Sequence, residues 1–280
     1  MSARLFVICL LFGTQLSAQE LSVLSFNIRY GTADDGANAW AARRELVFQV
    51  IRDTGADVLG VQEALRFQLD EIASAVPGLA EVGVAREDGD TAGEYSAILF
   101  DARRLAAEDH GTFWFSDTPG VPGSMSWGNR ITRICTWVRL RERSSGRTFY
   151  VYNVHLDHES QSSRERSVEL LAHRIAERSH PDPVIVLGDF NAGETNPAIR
   201  YLVGNSASPG PRLHDTFRAV HPRADSVGTF HAFQGGASGE KIDYVLTDGE
   251  WQVLDAAIVR THVAGRYPSD HYPVSARVTR

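Results

Sequence analysis

Pro183-Val184-Ile185-Val186-Leu187-Gly188-Asp189-Phe190-Asn191 is an apolar run that ends in a glycine, a carboxylate and an amide. Its β-branched residues and short length read as a strand. A carboxylate at such a strand end usually belongs to a solvated turn or a helix cap. Here it does not stand alone. The strand Ser22–Phe26 ends in Asn27, and Val58–Val61 ends in Gln62-Glu63. Tyr150–Val154 runs through Asn153 into His155, and Ser269-Asp270-His271 immediately precedes the last strand. In Lys241-Ile242-Asp243-Tyr244-Val245-Leu246 an acid sits inside an apolar segment, where its charge must be paired or coordinated if it is buried. Six such ends in one chain point to a shared site. Carboxylates and amides without thiolates suit a hard cation, Mg²⁺ or Mn²⁺, better than structural zinc. The histidines beside them suit anion stabilisation or proton transfer.

The remaining elements fall around these strand ends. A helix is expected from a cap at Asn38 or a neighbour to about Asp53, with Leu46, Val47, Val50 and Ile51 on one face. Leu65, Leu69, Ile72 and Val76 mark a second helix, stopped by Pro77-Gly78. A third fits Ser162 to Arg178. Further strands are expected near Glu81–Ala85, Tyr95–Phe100, Arg133–Leu140, Trp251–Val259 and Pro273–Val278. Many strands with helices between only some of them indicate mixed α+β layers, not a strict βαβ repeat.

In combination, Ser25-Phe26-Asn27, Val61-Gln62-Glu63, Asn153-Val154-His155, Gly188-Asp189-Phe190-Asn191, Lys241-Ile242-Asp243-Tyr244 and Ser269-Asp270-His271 resemble, in order, the motifs of the endonuclease/exonuclease/phosphatase superfamily. The stretch from Thr112 through Trp127 to Trp137 resembles a compact, exported bacterial subgroup. The resemblance implies a four-layered α/β/β/α sandwich of two mixed β-sheets flanked by helices, with the site where both sheets present their strand ends. It implies Glu63 as the principal Mg²⁺ ligand, held near Asn27, with Asp270 at the metal or beside His271. Asp189 and Asn191 would position or deprotonate the attacking water. His155 and His271 would contact the phosphate, and Asp243 would orient His271.

Three further residues are candidates for substrate binding. Arg133 is a bidentate phosphate clamp or a salt-bridge partner. Lys241, the only lysine, lends charge to the site or pairs with Asp243 or Asp270. His231 lines the pocket or packs in a turn. Phe113, Trp114, Phe115 and Trp127 either wall a cleft or fill the core under a Pro/Gly/Ser-rich loop.

Bulk composition narrows the function. Hydrophobic residues make up 43% and charged residues 22%, so a sizeable core can form. The formal net charge of -7 opposes capture of a long polyanion and counts against a processive duplex-DNA enzyme. Arg4, the apolar run Leu5–Phe12 and the small residues Ser17 and Ala18 read as a signal peptide over 1–18, followed by a catalytic domain over 19–280. That run is too short to anchor in a bilayer. Only Cys135 would survive processing, as a small buried hydrophobe without a disulfide partner. The expectation is a monomeric hydrolase of small phosphate esters, exported to the periplasm or beyond. A secreted DNA or RNA nuclease is the alternative, with clustered Arg and aromatic residues along an open groove as its mark. A non-catalytic binding module would lack a core acid or histidine, and none is missing.

Overall fold

The computed structural model describes residues 20–207 and 210–280; the expected signal peptide lies outside them. Among the described residues, twelve strands and five α-helices are arranged in four layers. The first sheet contains β1 (Leu21–Asn27), β2 (Val58–Gln62), β3 (Leu79–Val82), β4 (Ile98–Asp101), β11 (Gln252–Ile258) and β12 (Val274–Thr279), in the order β11-β12-β1-β2-β4-β3. The second contains β5 (Leu105–Trp114), β6 (Ile134–Glu142), β7 (Thr148–His155), β8 (Val184–Asp189), β9 (His214–Asp215) and β10 (Asp243–Thr247), in the order β5-β6-β7-β8-β10-β9. Helices α1 (Trp40–Thr54) and α2 (Arg66–Ala75) flank the first sheet, and their apolar faces share a core with Leu24, Phe26, Leu59 and Val61. Helices α3 (Gln161–Ala176) and α4 (Pro197–Leu202) cover the second sheet over Tyr150, Tyr152, Val184 and Val186. The short α5 (Thr216–Val220) puts Phe217 against the inter-sheet core.

Alternation sorts residues between these layers. Val23 and Val58 face the other sheet while Leu24 and Leu59 face the helices, as a period of two requires. Strands buried on both faces therefore read as continuous apolar runs, which is why Val184–Leu187 shows no alternation.

Two parallel pairs determine where the polar ends meet. β1 pairs with β2 in the register Asn27↔Gln62, and β7 pairs with β8 in the register His155↔Asp189. Both pairs deliver their carboxyl ends to one pole. β10 runs antiparallel to β8, so it begins at that pole, with Asp243 opposite Asp189. β12 runs antiparallel to β1 and brings His271 to the same place just before it starts.

Gly188 makes this register feasible. A Cβ there would lie 2.0 Å from the Val154 carbonyl oxygen of β7, and the residue has φ +146°. Only glycine allows both the close approach and that backbone conformation.

Asn153 does not reach the cleft. Its amide nitrogen donates to the carbonyls of Val61 and Ala97 across the sandwich, and its oxygen accepts from Gln62 Nε2 at 2.7 Å. These three buried bonds stitch the sheets just below the site. Asn153→Ala is expected to lower unfolding free energy by about 2–4 kcal/mol, because polar partners are left without it. Urea denaturation should show a lower midpoint at unchanged slope; an unchanged midpoint would remove the stitching role.

The structure differs from these local expectations at several points. Asn38 does not cap α1: Gly36–Asn38 form a 3₁₀ turn, and Ala39 precedes the helix without a side-chain cap. Asn38 instead offers its carbonyl to Arg43. β3 and β4 are displaced from the expected ranges because residues 83–97 form a turn-rich excursion. β5 was not anticipated. It is an edge strand whose middle residues, Ala107 to His110, are exposed, so it has no apolar period to detect. Phe113, Trp114 and Phe115 are buried and Trp127 packs on the same core; none lines the cleft. Cys135 is fully buried, as expected, and no helix among the described residues is long and apolar enough to cross a membrane.

Candidate active site

The pole where the strand ends meet holds a cleft of about 690 Å³, lined by Glu63, Arg133, His155, Asp189, Asn191, Asp270 and His271 among others. Glu63 follows β2 with φ +61°, and Asn191 follows β8 with φ +47°. A non-glycine residue in this left-handed region costs about 1–2 kcal/mol. The strain turns each side chain off its strand end and into the cleft.

Asn27 links the two halves. Its Nδ2 donates to Glu63 Oε1 and to Asp189 Oδ2, both at 3.0 Å. Its Oδ1 accepts from the Arg29 backbone, and Glu63 Oε2 accepts from the Tyr30 backbone. On the other side His271 Nδ1 bonds to Asp243 Oδ2 at 2.9 Å, while His271 Nε2 lies 3.8 Å from Asp189 Oδ2. His155 Nε2 approaches the same Asp189 oxygen at 3.6 Å. Asn191 donates its backbone N–H to Asp189 Oδ1 and its amide to the Leu156 carbonyl.

Burial and neighbouring charges shift Asp189, His271 and His155 in different directions. Burial, then the Asp243 charge, pushes Asp189 up to about 7, against the pull of His271 and of the Asn191 and Asn27 donors. Burial favours neutral His271, but the charges of Asp243 and Asp189 outweigh it and hold the imidazolium well above the ordinary range. His155 goes the other way: burial, with Arg133 and Arg86 nearby, pushes it well below the ordinary range. One histidine is thus a cation and the other a neutral ring, within reach of one carboxylate. Burial also raises Asp270, with His271 and Arg29 opposing.

The donor set fits a hard divalent cation. Glu63 and Asp189 converge on the single Asn27 amide nitrogen, and Glu63 and Asp270 both lie within 4 Å of the Arg29 guanidinium. Asp189, Asp243 and His271 also offer ligand atoms within 4.8 Å of one another, all buried. Asp243 Oδ1 has no hydrogen-bond partner among the described residues. Oxygen donors dominate, as Mg²⁺ or Mn²⁺ prefers.

The substrate-binding candidates separate. Arg133 lines the cleft, nearly buried, with its Nη2 on His158 Nδ1 at 2.8 Å and its Nε 3.7 Å from Asp157. That Nε has no hydrogen-bond partner among the described residues. Burial lowers the Arg133 guanidinium from its ordinary range. His231 is a correction: its ring stacks on Tyr272 at 4.0 Å behind the cleft wall, while its neighbours Phe230, Ala232 and Phe233 line the cleft.

Lys241 is a second correction. Its ammonium is buried away from the cleft, 2.7 Å from Asp215 and 3.6 Å from Glu194, over the Tyr244 ring. Neither Asp243 nor Asp270 is its partner. Lys241→Met is expected to cost about 3 kcal/mol of stability, since it strands a mostly buried carboxylate. KM and kcat should not change, and a changed KM would return Lys241 to the site.

Several cleft residues were not foreseen: Arg29, Arg86, Glu94, His158, Phe230 and Phe233. Arg29 forms a two-bonded pair with Asp35, and Arg86 forms one with Glu94. His158 is brought to the cleft rim by its pairing with Arg133. Arg29 lies two residues after Asn27, which was the one available signal. The others come from loops whose sequence carries no period.

Fold and site define a phosphoesterase of the endonuclease/exonuclease/phosphatase class, and the chain belongs to the Endonuclease/Exonuclease/phosphatase family, matching it over residues 24–271. Among solved structures, an endonuclease/exonuclease/phosphatase family protein from Bacteroides thetaiotaomicron is 28% identical, with a TM-score of 0.85 over 94% of this chain and 98% of that one. The mannosyl-6-phosphatase of the same organism is 28% identical, with a TM-score of 0.83 over 92% of this chain and 99% of that one. Nocturnin of Drosophila melanogaster is 25% identical over 242 residues, 78% of this chain but 36% of that protein, so the match spans about a third of that relative.

Proposed function

We propose that the protein is a divalent-metal-dependent hydrolase of small phosphate esters, with sugar phosphates the favoured class. One observation carries the reading. His155, His271 and Asp189 meet at a cleft of ligand size in which Arg29 and Arg86 are neutralised by Asp35 and Glu94. Five acids and three arginines line this cleft. Such a balance gives no electrostatic track for a polyanion. Paired acids and guanidiniums instead offer donors and acceptors to hydroxyl groups, and Phe230 and Phe233 add apolar faces. The likeness to a mannosyl-6-phosphatase supports the same class.

The roles follow from charge and position. Glu63, with Asn27 and Asp270, would hold the cation, which when bound neutralises phosphate charge and lowers the pKa of an attacking or leaving oxygen. Asp189, poised near neutrality, and Asn191 orient the attacking water, and Asp189 accepts its proton. The His271 cation faces the phosphoryl oxygens, held there by Asp243. His155 donates a neutral N–H, and Arg133 clamps a non-bridging oxygen. Phosphoryl transfer needs chiefly this positioning and electrostatic stabilisation.

The test is a turnover screen with Mg²⁺ or Mn²⁺ against p-nitrophenyl phosphate, bis-p-nitrophenyl phosphate, hexose 6-phosphates, nucleotides, phospholipid headgroups and plasmid DNA. Metal-dependent release of phosphate from a hexose 6-phosphate, abolished by EDTA, is expected. Plasmid cleavage without monoester turnover would replace this reading with a nuclease. We also propose export, with cleavage after Ala18; intact mass of secreted material should begin at Gln19, and retention of residues 1–18 would reject it.

A further inference from the structure

Arg43 belongs to α1, far in sequence from every motif, yet it is 1% exposed. No carboxylate among the described residues hydrogen-bonds to it. Its guanidinium donates instead to four backbone carbonyls: Nε to Asn38 at 2.9 Å, Nη1 to Ile28 at 2.6 Å and Pro268 at 2.9 Å, and Nη2 to Arg29 at 3.0 Å. Its Cζ lies over the rings of Trp40 and Phe233, at 5.1 and 5.6 Å from their centroids. A buried cation is costly unless its donors are met, and here the carbonyl dipoles meet them.

The carbonyls chosen are informative. Ile28 and Arg29 directly follow Asn27, which holds Glu63 and Asp189. Pro268 directly precedes Ser269-Asp270-His271. Phe233 is part of the cleft wall. Ser269 Oγ, bonded to the Asn27 carbonyl at 2.7 Å, ties the same two segments from the inner side. One planar group thus fixes the spacing between the Glu63 edge of the site and the His271 edge.

We infer that Arg43 is a positioning residue for the phosphoesterase centre, clamping the 28–29 and 268 segments so that the Glu63 and His271 edges hold one spacing. The inference rests on the function proposed above for its kinetic part only. Lysine cannot replace the planar fork, which reaches three segments at once. Misplacing reacting groups by about 1 Å can cost on the order of 10²-fold in rate.

Arg43→Lys and Arg43→Gln are compared with wild type and with Val47→Ala, a core truncation on the same helix. Hydrogen exchange is read by mass spectrometry, together with thermal melting and kinetics on the best substrate. In both Arg43 variants, exchange should quicken in segments 27–31 and 266–271 beyond any global change, and kcat should fall by about 10–100-fold with KM within about threefold. Val47→Ala should lower the melting temperature without selective exchange in those segments and with kcat retained. If one Arg43 variant fails to fold, the other carries the test. Exchange in the two segments that matches Val47→Ala at equal stability, or an unchanged kcat, would overturn the inference. A wild type inactive on every phosphate ester would sink the proposed function but leave the exchange result able to decide the clamp.

Discussion

Replacement of His271 by alanine is expected to lower kcat/KM for the best phosphate ester by about 10³–10⁴-fold while the protein stays folded. The size follows from what the imidazolium does at its position. His271 Nδ1 is tied to Asp243 at 2.9 Å, so the plane of the ring is fixed and Nε2 projects toward the cleft beside Asp189. Asp243 and Asp189 hold it charged in spite of its burial. That charge faces a reaction that builds negative charge on phosphoryl oxygens. Alanine removes the cation and strands Asp243, whose Oδ1 already lacks a partner among the described residues. Asp243→Asn keeps the volume but loses the charge that holds the ring protonated, so a loss of about 10²–10³-fold is expected. The double variant should be little worse than His271→Ala, since residues that act as a unit are not additive. Initial rates at fixed saturating metal measure all three. Full additivity of the two losses, or a His271→Ala enzyme within tenfold of wild type, would dissolve the dyad.

How far the sequence exposes this arrangement depends on what kind of signal each residue carries. Asn27, Glu63, His155, Asp189 and His271 stand at the ends of apolar strands, where polarity breaks the pattern abruptly. The registers of the two parallel pairs then bring those ends together. Lys241 and His231 sit beside cleft-lining residues but face away from the cleft, because one more residue along an extended segment reverses a side chain. No pattern in the chain fixes which side that is; the partners Asp215 and Tyr272 do. Arg43 was hidden for the opposite reason. An arginine on an amphipathic helix reads as solvated, and only the tertiary approach of Ile28 and Pro268 turns it inward. Edge strand β5 and the short helices α4 and α5 lack enough periodic residues to register at all.

Glu63→Gln is expected to weaken Mg²⁺ or Mn²⁺ binding by at least about tenfold and to lower turnover at limiting metal by about 10³-fold, the equivalent of about 4 kcal/mol. Glutamine is the sharper choice than alanine. It keeps the size and one of the two oxygens, which accepts from either Asn27 Nδ2 or the Tyr30 backbone, so the turn at φ +61° loses one of those two contacts and not both. What it removes is one negative charge from a group made of Glu63, Asp189 and Asp270. Arg29, within 4 Å of both Glu63 and Asp270, then has less to balance and competes better against a cation at Asp270. Raising the metal concentration should therefore recover part of the lost rate in Glu63→Gln but none in His271→Ala, because only the first defect is one of occupancy. Calorimetric titration of both variants, with turnover followed across the same metal series, separates the two cases. Wild-type metal affinity in Glu63→Gln would move the cation off Glu63 and onto the buried Asp189, Asp243 and His271 group, whose ligand atoms lie within 4.8 Å of one another. The dyad could not then both hold the cation and orient the phosphate, and the division of labour between the two edges of the cleft would have to be redrawn.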